Sequence, residues 1–388
     1  MLIYLCTRKR KIQMLKKIIL FVIVVIAISC SSSDDNGSSN NDDGFDRTAL
    51  LTNVADNIIM PAFQDLQSKL ASVDAATTSF ITDKSTANLD ALSDAWLEAY
   101  KVWQHVQIYN LGEADNLGGG ERGFVSFFNI YPVTVADIEN AVNTGSYDLN
   151  TANYHDAQGF PALDFLIHGV ATNDTLPLDK FTTNSDFEGF TTYLTDVVNQ
   201  MITLNTAIIN NWESSFRSTF IANTDSGVNG SFNKLANDIV YSYEKDFRAQ
   251  KIGIPAGIFS NGGTLPETVE AFYKKDVSKE LSLEALSGIE NLFNGIPYNS
   301  VSSISGSSFS VYLEFLDRED LVTEINNQFA AGRNAINSLN DDYTQQLSDN
   351  SIQMTAAYDI IQAAVPKLKV DMKQALNFVI DYVDGDGD

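Results

Sequence analysis

From Phe45 to Val379, apolar side chains return every three or four positions, and the two-residue alternation of a half-buried strand is missing. That pattern predicts an all-α fold. Leu51, Val54, Ile58, Ile59, Phe63, Leu66 and Leu70 mark a first helix, which Pro61 should kink or split because proline has no N–H. Leu89, Leu92, Trp96, Tyr100 and Trp103 put one face of a helix over 85–109 in the core. The same spacing runs through Phe187, Phe190, Leu194, Val197, Met201, Leu204, Ile208 and Trp212, then through Leu235, Ile239, Tyr243 and Phe247. Shorter helices are expected over 134–142, capped by Thr134, and over 266–274 and 281–293. A C-terminal pair is expected over 309–339 and 348–379, bent at Pro366. Long helices joined by modest loops predict two packed helical bundles. The polar stretch Asn223 to Gly230 divides them, giving bundles over 45–225 and 226–388.

The N-terminus reads as an export signal. Lys16 and Lys17 precede the apolar run Ile18 to Ile28, which closes on small residues. Ala27-Ile28-Ser29-Cys30 resembles a bacterial lipobox. Residues 1–29 are therefore expected to be a cleaved lipoprotein signal peptide, with Met1 or Met14 as the start and Cys30 as the lipid anchor. Residues 30–44 carry Ser, Asp, Asn and Gly with no apolar side chain, the composition of a flexible tether. An acidic stretch just after the cysteine resembles the surface-export signal of Bacteroidetes-type lipoproteins. The expected location is the outer membrane, facing the cell exterior. Both cysteines lie within the first 30 residues, so no structural disulfide is expected in the mature chain.

The formal net charge of −25 excludes a nucleic-acid partner, since phosphates need a basic footprint. Within this acidic chain one acid stands out. Gly159-Phe160-Pro161-Ala162-Leu163-Asp164-Phe165-Leu166-Ile167-His168 reads as a loop feeding a helix that is apolar on nearly every side. A carboxylate at position 164 must be paired or protonated, because burying a lone charge is costly. Arg248 and Lys251 lie three apart, share a face of an α-helix, and sit near its C-terminus ahead of Gly253 and Pro255. Such a pair would neutralise Asp164, hold an anionic ligand, or merely cap the helix.

Other chemistries find less support. The glycine-rich stretch 111–123 is interspersed with acids that repel phosphate, and no Gly-Lys-Ser follows. The tail 381–388 resembles half of a calcium loop but lacks its glutamate, so it reads as a solvated acidic end. No Gly-x-Ser-x-Gly elbow marks a serine nucleophile. Glycoside cleavage would need Asp164 and Glu270 to converge. His168 follows Asp164 by four residues and His155 lies in the preceding loop; a hydrogen-bonded core role is expected for His168, with metal ligation as the rival.

Taken in order, several stretches resemble the imelysin-like family over nearly all of the mature chain. They are Ile58-Ile59-Met60-Pro61, Asn129-Ile130-Tyr131-Pro132, Gly159 through Leu166, Arg248 through Gly257 and Val269-Glu270. The resemblance implies two helical bundles with a site at their interface, and an association with iron-regulated and iron-uptake proteins. The family motif is glycine, any residue, histidine, two of any kind, glutamate. Here Gly159 matches, Pro161 stands at the histidine position and Asp164 at the glutamate position. Proline has no ligand atom, which argues against metal-dependent peptide hydrolysis.

The reading is thus a non-enzymatic surface lipoprotein binding a small-molecule, metal or haem-type ligand between its bundles. The expected ligand-binding residues are Asp164, Arg248, Lys251, Glu270, Asn129 and Tyr131; no cofactor is named. The alternatives are a metallopeptidase using Asp164, His168 and His155, and a scaffold that binds a protein partner.

Overall fold

The structure is a computed structural model and describes residues 43–117, 123–300 and 306–382. The signal segment, Cys30, nearly all of the tether, the centre of the glycine-rich loop and the end of the acidic tail lie outside the described residues.

All regular structure among the described residues is helical. The first element, α1 (Arg47–Val54), runs through a π turn (Ala55–Ile59) into α2 (Met60–Thr82). The helix is not split at Pro61 but runs on through the π turn just before it. Proline offers no N–H to the carbonyl four residues back, that of Asn57, and this carbonyl accepts the amide of Tyr298 at 2.8 Å instead.

A short connection turns α2 back against α3 (Thr86–Val106), whose buried face carries Leu89, Leu92, Trp96, Tyr100 and Trp103 as expected. The short α4 (Val135–Thr144) follows Thr134, but the Thr134 hydroxyl goes to Asp156 at 2.5 Å rather than capping the helix. Next come α5 (Gly159–His168) and the long α6 (Phe187–Asn211). α5 lies between α3 and α6. Its Phe160 ring stacks on Tyr100 at 4.4 Å, while Trp103 stacks on Phe128 at 4.8 Å. Each such pair adds about 0.5–1.5 kcal/mol beyond area burial.

The second set begins with α7 (Ser231–Tyr241), which continues as a π-helical run over Ser242–Gly253. Then follow α8 (Ser278–Asn294), α9 (Glu319–Asn337) and α10 (Tyr343–Gln362). α8 packs on both α3 and α9, so it joins the two sets. Gly288 permits the close approach to α3, because a Cβ there would stand 3.2 Å from the His105 backbone.

Three expected helices differ. Residues 266–274 form a 3-10 turn (Pro266–Thr268) and then irregular chain with Ala271 at φ +59°. The amides of Tyr273 and Lys274 are used on Asp164 rather than in a helical ladder. The stretch 309–339 breaks into Phe309–Phe315 and α9, with Asp317 left-handed at φ +57°; aspartate tolerates that region better than most residues. The last stretch starts early, at Tyr343, where the Asp342 carboxylate accepts the amides of Thr344 and Gln345.

Candidate functional site

Three buried polar clusters hold the residues singled out from the sequence. The first surrounds Asp164, which is 2% exposed. Its Oδ1 accepts the Lys274 amide at 2.9 Å and its Oδ2 the Tyr273 amide at 2.8 Å. His168 Nδ1, one turn on, lies 2.9 Å from Oδ1. The expectation that Asp164 is buried and partnered holds. Its partners are two backbone amides and a histidine, not Arg248 or Lys251. Gly159 starts this helix at φ +72°, and a Cβ there would lie 2.2 Å from the Phe128 carbonyl oxygen. At the other end, Lys180 donates to the Gly169 carbonyl and lies 5.3 Å from the Phe165 ring centroid. Burial pushes the Lys180 amine down to about 8.

The second cluster centres on Glu270, 3% exposed, and Lys251, 1% exposed, which form a buried ion pair. Glu270 Oε1 accepts from Gln104 Nε2 at 3.1 Å and from Asn129 Nδ2 at 3.0 Å. Asn129 Oδ1 accepts the Tyr100 hydroxyl at 2.6 Å, and Gln107 donates to Gln104 Oε1 at 2.8 Å. Burial and the Glu270 charge raise the Tyr100 hydroxyl well above the usual phenol range. Tyr131 is close enough to feel Glu270 and Asp246, and burial raises its hydroxyl likewise, so it is a neutral phenol. Its oxygen is buried with no hydrogen-bond partner among the described residues. Tyr131 and Asp164 also line a cavity of about 90 Å³, with Pro132, Pro161, Phe272 and Tyr273 among its walls.

The third cluster takes Arg248. Its Nε donates to the Glu244 carbonyl at 3.1 Å and its Nη1 to the Tyr358 hydroxyl at 2.8 Å, with Gln362 a further partner. Its charge faces the Glu244 carboxylate at 3.8 Å, which Lys369 also meets at 2.9 Å.

The separation of Arg248 from Lys251 has a geometric cause. Residues three apart on an α-helix stand about 60° apart around the axis. Here the bonds run five residues back, as from the Ile254 amide to the Ala249 carbonyl at 2.8 Å. A π turn holds more residues, so the same spacing opens to roughly 110° and the two cations face different neighbours.

Lys251, Glu270 and Asn129 therefore meet directly, Tyr131 stands beside them, and Asp164 and Arg248 have other partners. Tyr100, Gln104, Glu244 and Ser93 were not singled out. Ser93 and Gln104 interrupt the apolar face of α3 at helical spacing from Trp96 and Tyr100, which is the one signal the sequence held for them. His168 is hydrogen-bonded, as expected, and His155 packs edge-on against Phe127 at 4.6 Å. Among the described residues no three His, Cys, Asp or Glu side chains gather as metal ligands.

A family model described as imelysin matches residues 59–372. Among solved structures, a chain named an iron-regulated protein A precursor, from Parabacteroides distasonis, has a TM-score of 0.68 at 16% identity, covering 85% of this chain and 95% of that one. An imelysin-like protein from Psychrobacter arcticum gives 0.67 at 16% identity, covering 87% of this chain and 97% of that one. At such identity the likeness shows a shared fold and no more. No curated protein matches the chain.

Proposed function

The chain belongs to the imelysin family; from that premise we propose that it binds a small polar ligand in the cavity lined by Tyr131 and Asp164, beside the Glu270–Lys251–Asn129 centre, in the setting of iron acquisition. The observation that carries this is the Tyr131 hydroxyl, buried and unpartnered among the described residues. A buried donor left unmade costs about 1–3 kcal/mol, which a bound ligand would recover. Support comes from the π-helical run that delivers Lys251, since π turns recur at functional positions. Further support is the name of the Parabacteroides relative, which describes that protein as iron-regulated.

The cavity beside Tyr131 limits the ligand. About 90 Å³ takes the volume of roughly three waters. Its walls hold Asp164 and Glu267 and no cationic side chain, so it suits a small neutral or cationic polar group, and a whole porphyrin exceeds it. The test is calorimetric titration with acetohydroxamate, its ferric complex and haemin. Binding of acetohydroxamate or its ferric complex is expected, weakened about tenfold or more in Tyr131→Phe, which keeps the ring and removes the hydroxyl. Equal affinity in the variant, or no binding of either compound, would remove the proposal.

The location belongs to the same reading. Cys30 would carry the lipid, the residues after it would act as tether, and the helical body would face outward from the outer membrane. Labelled palmitate should enter the wild-type chain and not Cys30→Ser; equal incorporation in both would rule the anchor out.

A further inference from the structure

We propose that Ser93, His168 and Asp164 form a second site: a serine nucleophile with its base and orienting acid, suited to small activated esters. Ser93 is on α3, and its Oγ lies 2.7 Å from His168 Nε2. His168 Nδ1 lies 2.9 Å from Asp164 Oδ1. Serine to base to orienting carboxylate, each within about 2.6–3.2 Å, is the geometry that activates a hydroxyl.

The direction of the chain follows from its fixed end. Both Asp164 oxygens accept backbone amides, from Tyr273 at 2.8 Å and Lys274 at 2.9 Å. The carboxylate thus faces His168 as an acceptor, and Nδ1 carries the proton. That leaves the Nε2 lone pair toward Ser93, whose hydroxyl donates to it. The ring is held in this pose by the Trp96 indole, 5.0 Å away and edge-on. Lys180 fixes the end of α5 through the Gly169 carbonyl. Ser93 is 9% exposed and the His168 side chain 13%, so the hydroxyl lies just under the surface. Exposure this low limits any substrate to a small ester and excludes a folded polypeptide.

In the step proposed, Ser93 Oγ bonds to the ester carbonyl carbon while its proton passes to His168 Nε2. The carbon–oxygen bond to the alcohol then breaks, and the alcohol leaves with that proton. A water molecule next gives a proton to Nε2 and bonds to the acyl carbon. The acid departs and Ser93 regains its hydrogen. No oxidant or metal enters.

The site shares only the Asp164 wall with the ligand-binding reading, and its test does not depend on that reading. The mature chain is treated with a small alkyl fluorophosphonate and the adduct mapped by mass spectrometry. One adduct on Ser93 is expected, absent in Ser93→Ala and forming about 100-fold or more slowly in His168→Gln. An unmodified Ser93 in the native chain, or an unchanged rate in His168→Gln, overturns the proposal. Where His168→Gln fails to fold, adduct mapping on the native chain and on Ser93→Ala still decides.

Discussion

Lys251 and Glu270 bury opposite charges at 1% and 3% exposure, so each is tolerated only because of the other. Glu270→Gln leaves an ammonium with no opposing charge and should cost about 3–5 kcal/mol in urea denaturation. Lys251→Met strands the carboxylate and should cost a similar amount. The double variant removes both charges while an amide oxygen at position 270 still accepts from its neighbours, so most of the loss should return. A double variant as unstable as the two losses added together would show that the pair is not coupled. At this scale the sequence was informative about residue type and less so about pairing. It marked Lys251, Glu270, Asn129 and Tyr131, which lie together, and Asp164 and Arg248, which sit in separate polar clusters. It matched Asp164 with the wrong partners, because a loop amide has no signature in a side-chain pattern. Ser93 stayed hidden for a related reason: a serine within an apolar helix face reads as filler until a histidine from another helix is seen against it.

Helix α5 depends on its first residue. At φ +72°, with the Phe128 carbonyl where a Cβ would go, position 159 admits glycine alone without a shift of backbone. Gly159→Ala is expected to cost at least about 2 kcal/mol through strain and overlap, seen as a lower midpoint in thermal melting. An unchanged midpoint would mean that the Phe128 turn yields freely. The helices themselves were legible wherever an apolar stripe ran long, as in α3 and α6. Misreadings fell where hydrogen bonds leave the regular ladder. The π run over Ser242–Gly253 keeps an apolar pattern close to that of an α-helix yet turns Arg248 and Lys251 apart. The loop after Thr268 has helical composition, but Asp164 takes the amides that a helix would have used.

For the whole molecule, the all-α class follows from periodicity, which needs no knowledge of distant contacts. How the sets lock together does not, because those ties run between residues far apart in the chain. Asn57 and Tyr298 make one such tie through their backbones, and Arg47 adds another by donating to the Tyr312 hydroxyl at 2.7 Å. This ordering has a consequence for biogenesis. A nascent chain leaving the ribosome presents α1 and α2 before the other described helices, with the carbonyl that Pro61 cannot serve still turned to water. Only after roughly two hundred and forty further residues have been synthesised does its acceptor role find Tyr298. The first of the described helices is thus among the last to have its backbone bonds completed, and a contact of such long sequence separation forms late in folding.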